Sequence, residues 1–108
     1  MRVIASIIAV LFAGAAVIAD AADDAATEAL MKKSGCFKCH SVDKKKDGPA
    51  YKEVAAKYKG KPEAEEKLYK HLTTHPTIKV DGKEEKHEAL KTTDDKDIKG
   101  VIAWILSR

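Results

Sequence analysis

The chain has 108 residues, and its first 21 hold 17 of the 48 apolar residues (AVILMFWYC), so only 19 large apolar side chains remain afterwards once ten Ala and two Cys are set aside. Lys plus Arg total 20 against 17 for Asp plus Glu, a net charge of +3, which excludes a dedicated nucleic-acid binder with its concentrated basic charge. A large enzyme with its own substrate domain is excluded as well, and what remains is one small domain of the size that usually needs a metal, disulfide or cofactor as a staple.

In chain order, Met1-Arg2 leads into an apolar run from Val3 to Ala19, broken only by Ser6 and Gly14. With the small-residue site Ala19-Asp20-Ala21 this reads as a secretory signal peptide over residues 1–21, cut after Ala21, with Ala19 as the alternative point. An uncleaved anchor is the competing reading, since the run is about the minimum length that spans a bilayer. On the cleaved reading, residues 22–108 form the mature domain in the periplasm, with no stable membrane insertion.

Ala22 to Lys33 predicts a short helix, with Asp23, Asp24 and Glu28 near its start and Lys32-Lys33 at its end, ordered to suit the helix dipole and stopped at Ser34-Gly35. Asp43 to Pro49 is a charged loop with the breaker pair Gly48-Pro49. A second helix is predicted over Ala50–Tyr58, with Tyr51, Val54, Ala55 and Tyr58 at helical spacing, and a third over Glu63–Thr74 with Leu68, Tyr69 and Leu72. Residues 76–92 show little periodicity, and the turn signal Asp81-Gly82 allows one short hairpin there. The last helix starts at Thr93 or Asp94 and carries Ile98, Val101, Ile102 and Ile105 on one face. The fold class expected is all-α, about four short helices with one long loop.

The two cysteines of the chain stand in Cys36-Phe37-Lys38-Cys39-His40. Cys-x-x-Cys-His is the signature of c-type haem attachment. Two thiols about one turn apart reach the two vinyl groups on one edge of the macrocycle, and the adjacent imidazole then lies beneath the iron. A haem also supplies the apolar mass the thin core lacks. Three other readings compete. A disulfide between Cys36 and Cys39 closes too short a loop to replace a core. A thioredoxin-like redox pair expects a βαβ context that is not visible. A zinc site would join Cys36 and Cys39 to His71 and His75, a pair at helical i, i+4 spacing, but it leaves His40 unexplained.

The mature chain resembles the short bacterial monohaem class I cytochromes c, in the subgroup of periplasmic electron shuttles. The resemblance rests on the Cys36-to-His40 motif, on Gly48-Pro49-Ala50-Tyr51-Lys52-Glu53-Val54-Ala55 and on Ile102-Ala103-Trp104-Ile105-Leu106 near the C-terminus. It implies one covalently attached haem c, bonded through Cys36 and Cys39, with His40 as proximal iron ligand. It also implies that the Pro49 carbonyl orients that imidazole, that the first and last helices cross, and that Trp104 packs near the macrocycle. For Trp104 an ordinary core anchor is the equal alternative.

The family's distal Met is missing. Met1 lies in the signal segment, and Met31, five residues before Cys36, suits core packing. Counted back from Thr93, His87 falls at the family's ligand position, one residue from Glu88, so His87 is the expected sixth ligand and His75 the alternative. His71, mid-helix, is expected to face solvent or a propionate. With two imidazoles the iron has no open position, and the implied function is outer-sphere electron transfer at lower potential than in Met-ligated relatives. The alternative is a protein that binds or senses O2, NO or CO through a dissociable distal His. Seven lysines, Lys44, Lys45, Lys46, Lys52, Lys57, Lys59 and Lys61, oppose Asp43, Asp47 and Glu53 in one segment, and their excess suits docking to an acidic redox partner. The carrier is expected to be a monomer and not an enzyme.

Overall fold

Helix α5 (Asp95–Leu106) organises the computed structural model, which describes residues 19–108, with side chains from Asp24 onward. Against it pack α1 (Ala19–Lys33), α3 (Tyr51–Tyr58) and α4 (Ala64–Thr73). The buried face of α5 is Ile98, Val101, Ile102, Trp104 and Ile105, which meet Met31 of α1, Tyr51 of α3 and Leu68 and Leu72 of α4 in one core. Every apolar residue expected on the last helix's inner face is therefore buried. Its start is fixed by Asp94, whose carboxylate accepts from Lys96 N at 2.9 Å, with Asp95 and Asp97 in the positive first turn. Asp94→Ala is expected to cost about 1 kcal/mol and to lower Tm by roughly 4–8 °C, read by thermal unfolding of the holoprotein.

Helix α1 begins at Ala19, three residues before its expected start, and the remainder of the expected signal segment, residues 1–18, lies outside the described residues. Its end is as expected: Gly35 turns left-handed at φ +80°, a conformation open to glycine without a Cβ penalty. That turn sends the chain into α2 (Cys36–Cys39), a single helical turn that no apolar periodicity announces. Among the described residues no helix is long and apolar enough to cross a membrane.

The expected long loop is more ordered than a loop. It contains β1 (Thr77–Val80) and β2 (Lys83–Lys86), paired antiparallel with Thr77 opposite Lys86 and Val80 opposite Lys83. Asp81 and Gly82 both take positive φ, 51° and 79°, as a two-residue turn matched to the right-handed twist of the strands requires. Pro76, Ile78 and Val80 are half-buried while Thr77 and Lys79 are exposed, so one face of the hairpin looks inward. The all-α expectation stands, and the short hairpin that Asp81-Gly82 allows is the one strand pair among the described residues.

Candidate functional site

His40 follows α2 in extended backbone, φ −123° and ψ 139°, and is clasped by the loop that returns to α3. Gly48 N–H donates to the Cys39 carbonyl at 2.7 Å, and His40 Nδ1 donates to the Pro49 carbonyl at 2.7 Å. A carbonyl can only accept, so that bond puts the ring proton on Nδ1 and leaves the Nε2 lone pair free. Tyr51 stacks on the imidazole, centroids 5.0 Å apart and planes 29° from parallel. Gly48 passes so close that a Cβ there would collide with the His40 Cε1 and lie 2.8 Å from its Nδ1. The sequence signal for this contact is the Gly48-Pro49 pair, a breaker that also belongs to the block resembling the family.

Opposite His40, at a ring separation of 6.2 Å, stands His87. It follows β2 directly and lies across from Pro76 in the continued register, where its N–H donates to the Pro76 carbonyl at 2.8 Å. Cross-strand partners share a face, so His87 turns inward with Pro76, Ile78 and Val80. Glu88, the next residue, is exposed. His87 is half-buried, and burial, then the neighbouring His71 and His40 rings, push its pKa down to about 4. At neutral pH it is the uncharged imidazole that a metal needs. Among the described residues its buried Nδ1 has no hydrogen-bond partner.

His71, expected to face solvent or a propionate, lines the same cavity. It lies half-buried beside His87 with ring centroids 4.2 Å apart, and burial, then the charges of His40 and Lys57, lower its pKa. Its position three residues after Leu68 and one before Leu72 places it on the inward stripe of α4, a spacing that could have flagged it. His75, exposed, donates from Nδ1 to the His87 carbonyl at 3.2 Å instead of entering the cavity.

Between these histidines is a cavity of about 680 Å³ walled by Met31, Cys36, Cys39, Leu68, Val101 and Ile105 among others, with His40, His71, His87 and Pro49 on its lining. Both cysteines are free thiols, Cys36 half-buried and Cys39 exposed, and burial pushes the Cys36 thiol up. No disulfide joins them. Among the described residues no cluster of three or more His, Cys, Asp or Glu is arranged to hold a metal ion, so the four-ligand zinc reading finds no site. Met31 is fully buried in the core, as its position suggested. Trp104 does not wall the cavity. It stands one layer behind, edge-on to Tyr51 at 5.2 Å and to Phe37 at 6.1 Å, and its Nε1 donates to Glu28 at 3.2 Å.

The family model for cytochrome c matches residues 25–108. The chain belongs to the cytochrome c family. Its fold is similar to that of the class 1 cytochrome MtoD from Sideroxydans lithotrophicus ES-1, with 47% identity, a TM-score of 0.75, and coverage of 79% of this chain and 95% of that one. The cytochrome c552 of Nitrosomonas europaea follows at 31% identity and a TM-score of 0.58, covering 74% and 96%. In sequence, the chain is 54% identical over 41 residues to cytochrome c-551 of Pseudomonas aeruginosa, a match spanning 38% of this chain and 39% of that relative. Cytochromes c carry one covalently attached c-type haem with its iron. The geometry of this cytochrome fits that group on its own terms. The cavity lies within the usual range for ligand pockets of roughly 300–1,000 Å³, and the thiols stand at its rim. Two imidazoles binding one metal from opposite sides at about 2 Å each would sit roughly 6 Å apart between ring centres, and those of His40 and His87 are 6.2 Å apart.

Proposed function

We propose that this cytochrome is an exported, periplasmic single-electron carrier with a bis-histidine haem, bonded through Cys36 and Cys39 and held by His40 and His87. The haem supplies a one-electron couple at its iron. The protein's part is to hold that iron in one coordination state, so that gain and loss of an electron need little rearrangement. The Pro49 carbonyl fixes the His40 ring and raises its basicity. The observation that carries the reading is the inward imidazole of His87 facing His40 at 6.2 Å.

His87 sits on a strapped segment. Besides its bond to Pro76, Leu90 N donates to the Leu72 carbonyl at 2.9 Å and Lys91 N to the buried Ser34 hydroxyl at 3.0 Å. Straps on both sides of the ligand favour a carrier over a gas-binding protein with a dissociable distal His. Two imidazoles also lack the thioether sulfur that raises the potential of Met/His cytochromes, so the potential is lower than theirs. Optical and paramagnetic resonance spectra of purified holoprotein test this. A low-spin, six-coordinate spectrum in both oxidation states, without the near-infrared sulfur-to-iron band, is expected. A high-spin reduced form that takes up CO readily would favour the gas-binding function.

Residues 1–21 direct export on this reading and are removed, leaving residues 22–108 as the carrier. Its partners are redox proteins with acidic docking faces. All seven lysines from Lys44 to Lys61 are exposed, but Lys52 pairs with Asp43 at 2.6 Å and Lys46 donates to the Phe37 carbonyl at 3.0 Å. Lys57 lies on the rim of the haem cavity, and Lys45 makes no such bond among the described residues. Charge reversal at both Lys45 and Lys57 is expected to slow electron transfer to the physiological partner severalfold at low salt, with the difference fading at high salt. Tm should change little. Equal low-salt rates would remove this segment from the docking surface.

A further inference from the structure

Pairing in the hairpin continues one rung past β1 and β2, and that rung is incomplete. In an antiparallel ladder, residues at alternate positions exchange both N–H···O bonds. Val80 opposite Lys83 flanks the turn, Ile78 opposite Glu85 comes two residues on, and Pro76 opposite His87 follows at the same interval. His87 N–H makes its half of that rung, to the Pro76 carbonyl at 2.8 Å. The reciprocal bond cannot form, because proline has no N–H. The carbonyl of His87 instead accepts from the side chain of the preceding residue, His75 Nδ1, at 3.2 Å.

We infer that His75 is a positioning residue for the distal imidazole, its Nδ1–H standing in for the ladder donor that Pro76 lacks and so fixing the backbone from which His87 projects. The role rests on the reading of His87 as the distal ligand. With both its N–H and its C=O bonded to residues 75 and 76, the His87 backbone is held at the point where α4 hands over to the hairpin. A slip of this rung would turn the next side chain inward, since neighbours on a strand face opposite ways. The next side chain is Glu88, a carboxylate and a poor partner for this site. His75 thus acts on the iron site from outside the cavity, through the main chain, while His71 touches the His87 ring directly.

The test follows displacement of the distal ligand from ferric holoprotein by added cyanide, which reports how often the His87 segment opens. His75→Phe is expected to speed displacement roughly threefold to tenfold, the scale of one hydrogen bond. His75→Asn, whose amide places a donor near the position of Nδ1, should restore the slow rate. So should the double variant His75→Ala/Pro76→Ala, which returns a backbone N–H to the rung. A rate unchanged in His75→Phe, or Asn and the double variant as fast as Phe, overturns the role. Long-range nitrogen–proton spectra read the clamp separately, and a His75 ring protonated at Nε2 alone would also overturn it. His71→Ala/His87→Ala, which also removes the neighbouring imidazole, separates the two levels of the proposal. If its spectrum matches wild type, the distal assignment itself is wrong and the role of His75 goes with it, whatever the state of the His75 ring.

Discussion

His87→Ala should convert the ferric haem from low spin to high spin, or to a form ligated by whatever small anion the buffer supplies. The effect is large because, His71 apart, no nearby side chain is placed to take over from the imidazole. Glu88 is exposed on the other face of the strand, Met31 is fixed in the core on α1, and His75 faces away with its Nδ1 committed to the main chain. His71 is the nearest remaining imidazole, 4.2 Å from the ring that is lost, so the variant is best paired with His71→Ala/His87→Ala. His71→Ala alone should leave the spin state as it was. The segment itself should stay folded, because the bonds from Leu90 to Leu72 and from Lys91 to Ser34 do not involve the removed side chain. His87→Met, where the sulfur binds, should raise the potential. A low-spin spectrum surviving in the double variant would remove both histidines from the iron.

Gly48→Val is expected to damage the proximal side more than any change in the core. Even the first carbon of the new side chain would collide with the His40 ring, and neither partner can give way cheaply. The glycine is tied to the Cys39 carbonyl at 2.7 Å and accepts from Lys46 N at 3.1 Å, while the ring is tied to Pro49. Relief requires breaking one of these bonds on top of an overpacking cost of about 1–3 kcal/mol. The expected readouts are a low yield of holoprotein, a Tm lower by roughly 10 °C or more, and a disturbed spectrum in what is recovered. Gly60→Ala makes a useful contrast. No atom lies within 4 Å of a Cβ there, but its φ of +72° strains any other residue, so about 1 kcal/mol of stability is lost with the spectrum intact.

The parts of this site that were legible in the sequence are those written in local spacing. The Cys36-to-His40 motif, the Asp94 cap and the stripe Ile98, Val101, Ile102 and Ile105 are patterns of a few residues with one physical meaning each. The bond from His40 to the Pro49 carbonyl came from family resemblance and is present at 2.7 Å. The hairpin was visible only in Asp81-Gly82, because β2 reads Lys-Glu-Glu-Lys and is exposed on both faces. A strand solvated on both sides leaves no alternation to find. The mid-helix position of His71 suggests solvent or a propionate as its neighbour. Its neighbours Leu68 and Leu72 carried the contrary signal. The clasp of Gly48 on His40 and the bond from His75 to His87 are contacts between segments that the chain order alone does not bring together.

The two imidazoles differ in what stands behind them. The Nδ1–H of His40 donates a hydrogen bond to a carbonyl at 2.7 Å, which makes its other nitrogen a stronger electron donor, whereas the buried Nδ1 of His87 has no partner among the described residues. On the bis-histidine reading the two axial bonds would therefore be unequal, with the distal one the weaker. Under rising denaturant the His87 side should let go first, giving a high-spin population while far-ultraviolet helicity is still near native. The proximal half, which on this reading is tied to the haem through Cys36 and Cys39 beside it, should be the last part of the molecule to lose its form.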